Sequence, residues 1–388
     1  MKLLCYFILI LPLVVCAQQW EALPNFPGDA RDDAVAFALQ GKGYCVTGKS
    51  DNGGSTNTLY SYDPTTEKWE QKSSFPGVDR QYTAVFTIAN KAYLIGGYSL
   101  DGDALKDVWQ YDGELDTWTQ KQDFPDSARW STVAFSSGEY GYFGLGASFS
   151  GLKKDFWKYH PKTDTWTKLK DFPGEARRDA IGVALQGKAI VGLGLKGFDA
   201  ANHFEDLYSF DVFSEEWTAM DNFPGGKLSY AFADKIDTKL IIGGGMKGDQ
   251  DFQSKVYQYE LLTNSWSALD TLLADPMRGS SHFVINREFY LCTGLTGTFT
   301  RSKIFHRLSF SEAQITLYPN PAQDRVFLST TNTATSLLVR LYNTQGELVL
   351  EKNTIDSYIT LPPLKAGVYF CHLLENEGLI HSQKLVIQ

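Results

Sequence analysis

The chain repeats itself at a fixed interval. Residues 106–125 read KDVWQYDGELDTWTQKQDFP and residues 154–173 read KDFWKYHPKTDTWTKLKDFP, identical at eleven of twenty positions with no gap. Tryptophan recurs at 20, 69, 118, 166, 217 and 266, at spacings of 48 to 51 residues. An apolar–Pro element follows each one: NFPG, SFPG, DFPD, DFPG, NFPG and the weaker LLADP. Then comes an arginine at 31, 80, 129, 177 and 278, with Lys227 in the fifth copy. An apolar strand running into glycine is next (YCVTG, YLIGG, YFGLG, IVGLG, LIIGG, YLCTG). An aromatic strand such as LYSYD or VWQYD leads through a tight turn back to Trp.

A period near 50 leaves room for four short strands per copy, and a four-stranded sheet has two faces that it cannot bury alone. Packing the sheets around an axis hides both. The order of glycine position, Tyr-rich strand and Trp resembles the kelch repeat family, across residues 18–310. Copies one, three, four and six keep only one of the family's two glycines. The resemblance implies an all-β fold, a six-bladed kelch β-propeller. The last copy stops at RSKIFHRLSF without its Trp, while QQWEALPNFPG begins with a Trp and no preceding strands. The N-terminal strand is therefore expected to complete the last blade and remove a free sheet edge.

After Phe310 the pattern ends. Residues 311–388 alternate short strands with Asn-Pro, Gln-Gly and Ala-Gly turns, which predicts a small Ig-like β-sandwich. YPNPAQDRVFL, LYNTQGELV, LKAGVY and the terminal KLVIQ resemble the C-terminal sorting domain of type IX secretion substrates. That resemblance implies the type IX secretion machinery as a partner of residues 311–388, and a secreted or cell-surface location in a Gram-negative bacterium. At the other end, Lys2, the apolar run LLCYFILILPLVV and V-C-A at 15–17 read as a signal peptide over residues 1–17. Cys16 raises a lipoprotein alternative, but Val15 is not the small residue such a site wants. Nothing downstream approaches ~18 consecutive apolar residues, so no transmembrane helix is expected in the mature chain.

Composition narrows the partners. With a net charge of −9 and a pI near 5.2, the chain has no basic field for nucleic acid. Past the signal it keeps Cys45, Cys292 and Cys371, an odd number in strand-like contexts, expected as buried small hydrophobes with a Cys45–Cys292 bridge as the alternative.

Strand alternation puts the loops carrying the Phe-Pro–Arg elements on the same face as the long glycine-rich loops, and leaves short turns on the other. Function is expected on the loop-rich face. There Arg31, Arg80, Arg129, Arg177 and Arg278 are expected to ring the axis. Beside them stand Asp32, Asp33, Gln81, Tyr82, Trp130, Arg178, Asp179 and Ser280. Arginine grips carboxylates in bidentate fashion, and Trp130 or Tyr82 offers a ring for a sugar face. Equally, the recurring Arg suits a brace between blades. His282 is the one histidine placed near the axis. No HExxH, HxH or CxxC spacing occurs, so neither a metal nor a cofactor is expected. Galactose oxidase also resembles this architecture, but its copper site needs a histidine pair and a Tyr–Cys cross-link that have no counterpart here. The leading expectation is a non-enzymatic binding propeller for a glycan or acidic extracellular ligand, or a protein. The alternative is an enzyme, because at repeat level the propeller resembles N-acetylneuraminate epimerase. His282, Asp33 or Asp179 would then move the proton, though no motif selects a catalytic residue.

Overall fold

Each copy of the repeat folds into four antiparallel strands because its apolar residues alternate or run as strands demand. In the first copy Val35–Leu39, Lys42–Val46, Leu59–Asp63 and Lys68–Lys72 pair in order, with Cys45 opposite Tyr60 and Tyr62 opposite Trp69. The second strand of each sheet is buried on both faces and so reads as a continuous apolar run. The computed structural model describes residues 20–197, 202–248, 250–261, 263–272, 275–310, 316–318, 321–323, 325–329, 337–354, 358–375 and 378–388. The signal peptide expected over 1–17 lies outside the described residues.

The described residues up to Phe310, apart from 263–264, form one compact unit, and those from Thr316 on belong to the other. In the first unit, six such sheets stand side by side. Their first strands (Val35–Leu39, Ala84–Ile88, Val133–Ser137, Ile181–Leu185, Phe232–Ile236 and Ser281–Ile285) neighbour one another in a closed cycle. They wall a central channel of about 470 Å³. The sixth sheet takes its outer strand from the beginning of the described chain: Trp20 pairs with Leu308, Glu21 with Arg307 and Ala22 with His306. Trp20 also packs edge-on against Phe232 and Phe289.

Neighbouring sheets are tied by backbone as well as by side chains. Gly48, Gly97, Gly146, Gly194, Gly245 and Gly294 each donate an amide hydrogen bond of 2.8–3.0 Å across to the next sheet. The acceptors are the carbonyls of Arg80, Arg129, Arg177, Leu228, Met277 and Arg31, so the cycle closes on itself. These are the second glycines of the repeated pair. At Gly245 φ is +82° and a Cβ would stand 2.5 Å from the Ser229 carbonyl oxygen, so no side chain fits. The preceding position is also left-handed, yet Thr47, Leu145, Leu193 and Thr293 hold it in four of the six sheets.

The Phe-Pro–Arg element is a brace. Arg31, Arg80, Arg129 and Arg177 are 0–1% exposed. The Arg80 guanidinium lies 4.8 Å from the Phe75 ring centroid, forks onto Asp107 at 2.5 and 2.8 Å, and donates to the Gly96 and Val78 carbonyls. Arg129 with Asp155 and Arg177 with Asp206 repeat the arrangement, while Arg31 meets Thr58 in place of an acid. Gly77 is needed because a Cβ there would meet Phe75 at 2.5 Å and Arg80 Nη2 at 2.8 Å. Phe75 in turn packs edge-on against Trp118 of the same sheet, as Phe26, Phe124, Phe172 and Phe223 do against Trp69, Trp166, Trp217 and Trp266.

In the second unit, Thr316–Tyr318, Arg325–Ser329 and Tyr358–Thr360 form one antiparallel sheet. Leu337–Tyr342, Leu348–Thr354, Gly367–Glu375 and Gly378–Ile387 form another, and the two share a core around Leu317, Val326, Leu341, Ile359 and Leu373. No helix among the described residues is long and apolar enough to cross a membrane. Cys45, Cys292 and Cys371 are buried free thiols.

Where the brace is missing, its acid is missing too: Leu228 and Met277 occupy the Arg position in sheets five and six, with Lys255 and Ile304 in place of the acid. Arg80→Met is therefore expected to cost about 3–5 kcal/mol, since it strands Asp107 in a largely buried site. Adding Asp107→Ile, which reproduces the Met277/Ile304 pairing, is expected to recover most of that loss. Urea midpoints of the wild type and the two variants check this; a double variant no more stable than the single one contradicts it.

Candidate functional site

Two residues past the brace, the chain turns into the channel. Asp33, Tyr82, Ser131, Asp179, Tyr230 and Gly279 all adopt left-handed φ, between 51° and 58°. Their amides and carbonyls form a second closed cycle: Tyr82 donates to Asp33, Ser131 to Tyr82, Asp179 to Ser131, Tyr230 to Asp179, Gly279 to Tyr230 and Asp33 to Gly279, at 2.9–3.3 Å. Only one of the six is glycine, and left-handed backbone costs a non-glycine residue on the order of 1–3 kcal/mol. The residues that follow (Ala34, Thr83, Thr132, Ala180, Ala231 and Ser280) line the top of the channel. The strained ring thus frames its mouth with side chains of chosen chemistry.

That chemistry is acid, arginine and tyrosine. Arg278 lies 4.6 Å from the Tyr230 ring centroid and reaches Asp33 Oδ1 at 3.4 Å and Asp32 Oδ2 at 4.0 Å. Arg178 pairs with Asp179 and donates to the Tyr230 hydroxyl at 2.6 Å. Arg301, from the loop between the second and third strands of sheet six, holds Asp32 at 2.6 Å. Gly279 makes room for the Asp33 carboxyl, because a Cβ there would stand 2.2 Å from Oδ1. Burial pushes the Asp33 carboxyl up to about 8; Arg278 opposes the shift and the acids Asp32 and Asp179 add to it. Burial likewise raises Asp179 against the pull of Arg178, and raises Tyr82 and Tyr230.

The expected arginine ring therefore divides. Arg31, Arg80, Arg129 and Arg177 do not reach the mouth; they are spent inside their own sheets, since a buried guanidinium must have its donors paired. Arg278 does not belong to their column. Arg278 pairs with Leu295 as Gln81 pairs with Tyr98, which places it one residue later, with Gln81, Trp130 and Arg178, and leaves Met277 in the brace position. Lys227 is exposed beside Leu228. Of the expected residues, the mouth gathers Tyr82, Arg178 and Arg278 with Asp32, Asp33 and Asp179. Trp130 is half-buried and packs with Tyr98 and Phe149. His282 lies further along the channel wall, its ring stacked 5.5 Å from Phe289 and its Nε2 2.9 Å from the Ala233 carbonyl oxygen. Tyr230 and Arg301 were not singled out in the sequence. Aligning the copies on their glycines rather than their arginines puts Tyr230 in the Tyr82 column, but nothing local marks Arg301. Among the described residues, no group of three or more His, Cys, Asp or Glu side chains is placed to hold a metal ion.

Comparison with known proteins now adds two family matches. Residues 43–302 match the Attractin/LZTR1 beta-propeller family, and residues 316–388 match the secretion system C-terminal sorting domain. The fold of the first unit is thus a β-propeller, and the tail directs the chain to secretion or to the cell surface of a Gram-negative bacterium. Curated relatives include an N-acetylneuraminate epimerase of Shigella sonnei, 34% identical over 21% of this chain and 23% of its own. Another, of Haemophilus influenzae, is 29% identical over 27% of this chain and 28% of its own. Beta-agarase D of Zobellia galactanivorans is 26% identical over 36% of this chain and 28% of its own. The chain spans about a quarter of the length of the curated relatives it matches. A solved structure of YjhT superposes with a TM-score of 0.61 at 15% identity, covering 74% of this chain and 97% of that one, a likeness of fold alone.

Asp33 also leaves a mark on stability. Its folded value, about 8, lies above the ordinary 3.8, so between those values the folded chain binds a proton that the unfolded chain has released. The contribution is complete below pH 4 and is lost as pH rises toward 8. Asp33→Asn is expected to lose less stability than the wild type between pH 5 and 8.5, read from urea midpoints; parallel profiles contradict the assignment.

Proposed function

Because this chain belongs to the Attractin/LZTR1 beta-propeller family and ends in a sorting domain, we propose that it is an exported six-bladed kelch propeller that binds an acidic sugar at its channel mouth. The C-terminal sheets are read as its small Ig-like module. Arg278 carries the reading. Its contacts to Asp33 and Asp32, at 3.4 and 4.0 Å, are long beside the 2.5 and 2.8 Å fork that Arg80 makes with Asp107. It therefore keeps hydrogen-bonding capacity for an incoming carboxylate. Burial holds Asp33 toward its neutral form, so Arg178, Arg278 and Arg301 stand against Asp32, Asp179 and the half-exposed Asp51, and the guanidinium groups of the mouth are not outnumbered on a chain of net charge −9. Tyr82 and Tyr230 add flat rings and hydroxyls, the mixture a pyranose requires. The channel, at about 470 Å³, is of a size for small molecules.

A second reading, sugar epimerisation at the same mouth, is favoured by Asp33. A carboxyl that titrates near neutrality is suited to exchanging protons with a bound sugar. Arg278 stands beside it to hold a carboxylate, and two of the matched relatives, each matched over about a quarter of its length, are named N-acetylneuraminate epimerase.

Saturation-transfer NMR of the mature full chain with N-acetylneuraminate, glucuronate and galacturonate tests both. Binding to at least one is expected, weakened about tenfold or more in Arg278→Ala and unchanged in Lys227→Ala. Affinity is expected to fall from pH 7 to pH 9, as Asp33 ionises beside Arg278. Anomer exchange that is accelerated by the wild type and lost in Asp33→Asn selects the enzyme. Binding without exchange selects the binder, and no response to any of the three sugars removes both readings.

A further inference from the structure

A second feature of the loop-rich face lies just outside the mouth. Sheet three carries a small hairpin between its second and third strands, in which Ala147–Ser148 pair with Gly151–Leu152. Phe149 sits at its tip and is 71% exposed. A tight turn favours small polar residues, and a Phe placed there buries little of its own surface. It is not isolated. Its ring centroid lies 5.7 Å from Trp130 and 6.5 Å from Tyr98, and those two lie 5.0 Å apart. Leu100, next along from Tyr98 and Ser99, is 49% exposed.

The cluster is joined to the mouth by the backbone. Trp130 exchanges two hydrogen bonds with Ala147, 2.9 and 3.0 Å, which fixes the hairpin against it. The next residue, Ser131, is a member of the left-handed ring. The aromatic surface therefore joins the backbone ring of the mouth at one peptide bond. The rim of the cluster is polar: Lys153 Nζ donates to Ser150 Oγ at 3.0 Å beside Phe149, and Asp101 and Asp103 follow Leu100. One exposed ring backed by two half-buried ones, with hydroxyl, ammonium and carboxylate groups at their edge, matches a pyranose, which has one apolar C–H face and a belt of hydroxyls. An apolar protein surface needs a wider dry patch than this.

We propose that Tyr98, Trp130 and Phe149 form a sugar-stacking platform, so that the ligand is an oligosaccharide with its acidic residue in the mouth and a neighbouring pyranose laid on the platform. The inference rests on the reading of the mouth as an acidic-sugar site. It goes beyond it in making the ligand a chain rather than a monosaccharide.

Titration calorimetry of the mature full chain with galacturonate and with its trimer separates the two claims. The trimer is expected to bind about tenfold tighter than the monomer. Phe149→Ala is expected to remove that gain and to leave monomer binding unchanged, while Arg278→Ala weakens both. Equal affinities for monomer and trimer in the wild type, or a trimer gain that survives Phe149→Ala, overturn the platform and spare the mouth. No binding of either probe, together with no response to the other acidic sugars, overturns the mouth reading and the platform with it.

Discussion

Four buried guanidinium groups do much to hold the sheets of this propeller in place. Arg80 lies over Phe75, forks onto Asp107 and donates to two backbone carbonyls. A buried cation is tolerated only when its donors are paired in this way. The same contacts fix the lead-in to the sheet, the end of its second strand and the start of its third as one rigid corner. Phe75 then reaches Trp118, and the Arg80 carbonyl accepts from Gly48 of the preceding sheet. One residue thus links the inside of a sheet to the sheet before it.

Sheets five and six do without the brace. Leu228 and Met277 take the position and are almost fully buried, and Lys255 and Ile304 replace the acid. The backbone cycle runs through them unbroken, Gly194 donating to Leu228 and Gly245 to Met277. The cation is therefore one of two solutions to filling that corner, whereas the glycine amide is required at all six. Closure of the ring by Trp20–Ala22 depends on the same cycle, because Gly294 must reach Arg31.

The corner also explains why chemistry collects where it does. Two residues beyond it each chain segment must bend from the loop into the channel, and it does so with a left-handed residue whose amide is caught by its neighbour. The ring is over-determined by six hydrogen bonds, so it can carry Asp33, Tyr82, Asp179 and Tyr230 in a conformation they would otherwise avoid. Those side chains are then held rigidly at the channel mouth, the condition a binding site needs.

Much of this architecture is legible in the residues themselves. The Trp spacing, the Phe-Pro–Arg element and the glycine-ended strand are local patterns, each dictated by strand periodicity, a tight corner or a close backbone approach. From them the all-β repeat and the closing N-terminal strand follow, while the sorting tail is read from its own motifs, YPNPAQDRVFL and LKAGVY among them. The site was less legible. Arg278 looks like Arg31 in the sequence, yet one is at the mouth and the other wholly buried. Which it is depends on a one-residue register that only the pairing with Leu295 decides. Asp33 and Arg278 are separated by 245 residues, as Asp32 and Arg301 are by 269. They meet because the ring closes, and closure is a property of six sheets packed together. The sequence by itself therefore determined the repeating sheet, whose causes lie within some fifty residues. The tertiary structure alone decided which charges share the mouth, because burial and distance across the axis exist only once the two ends of the propeller have joined.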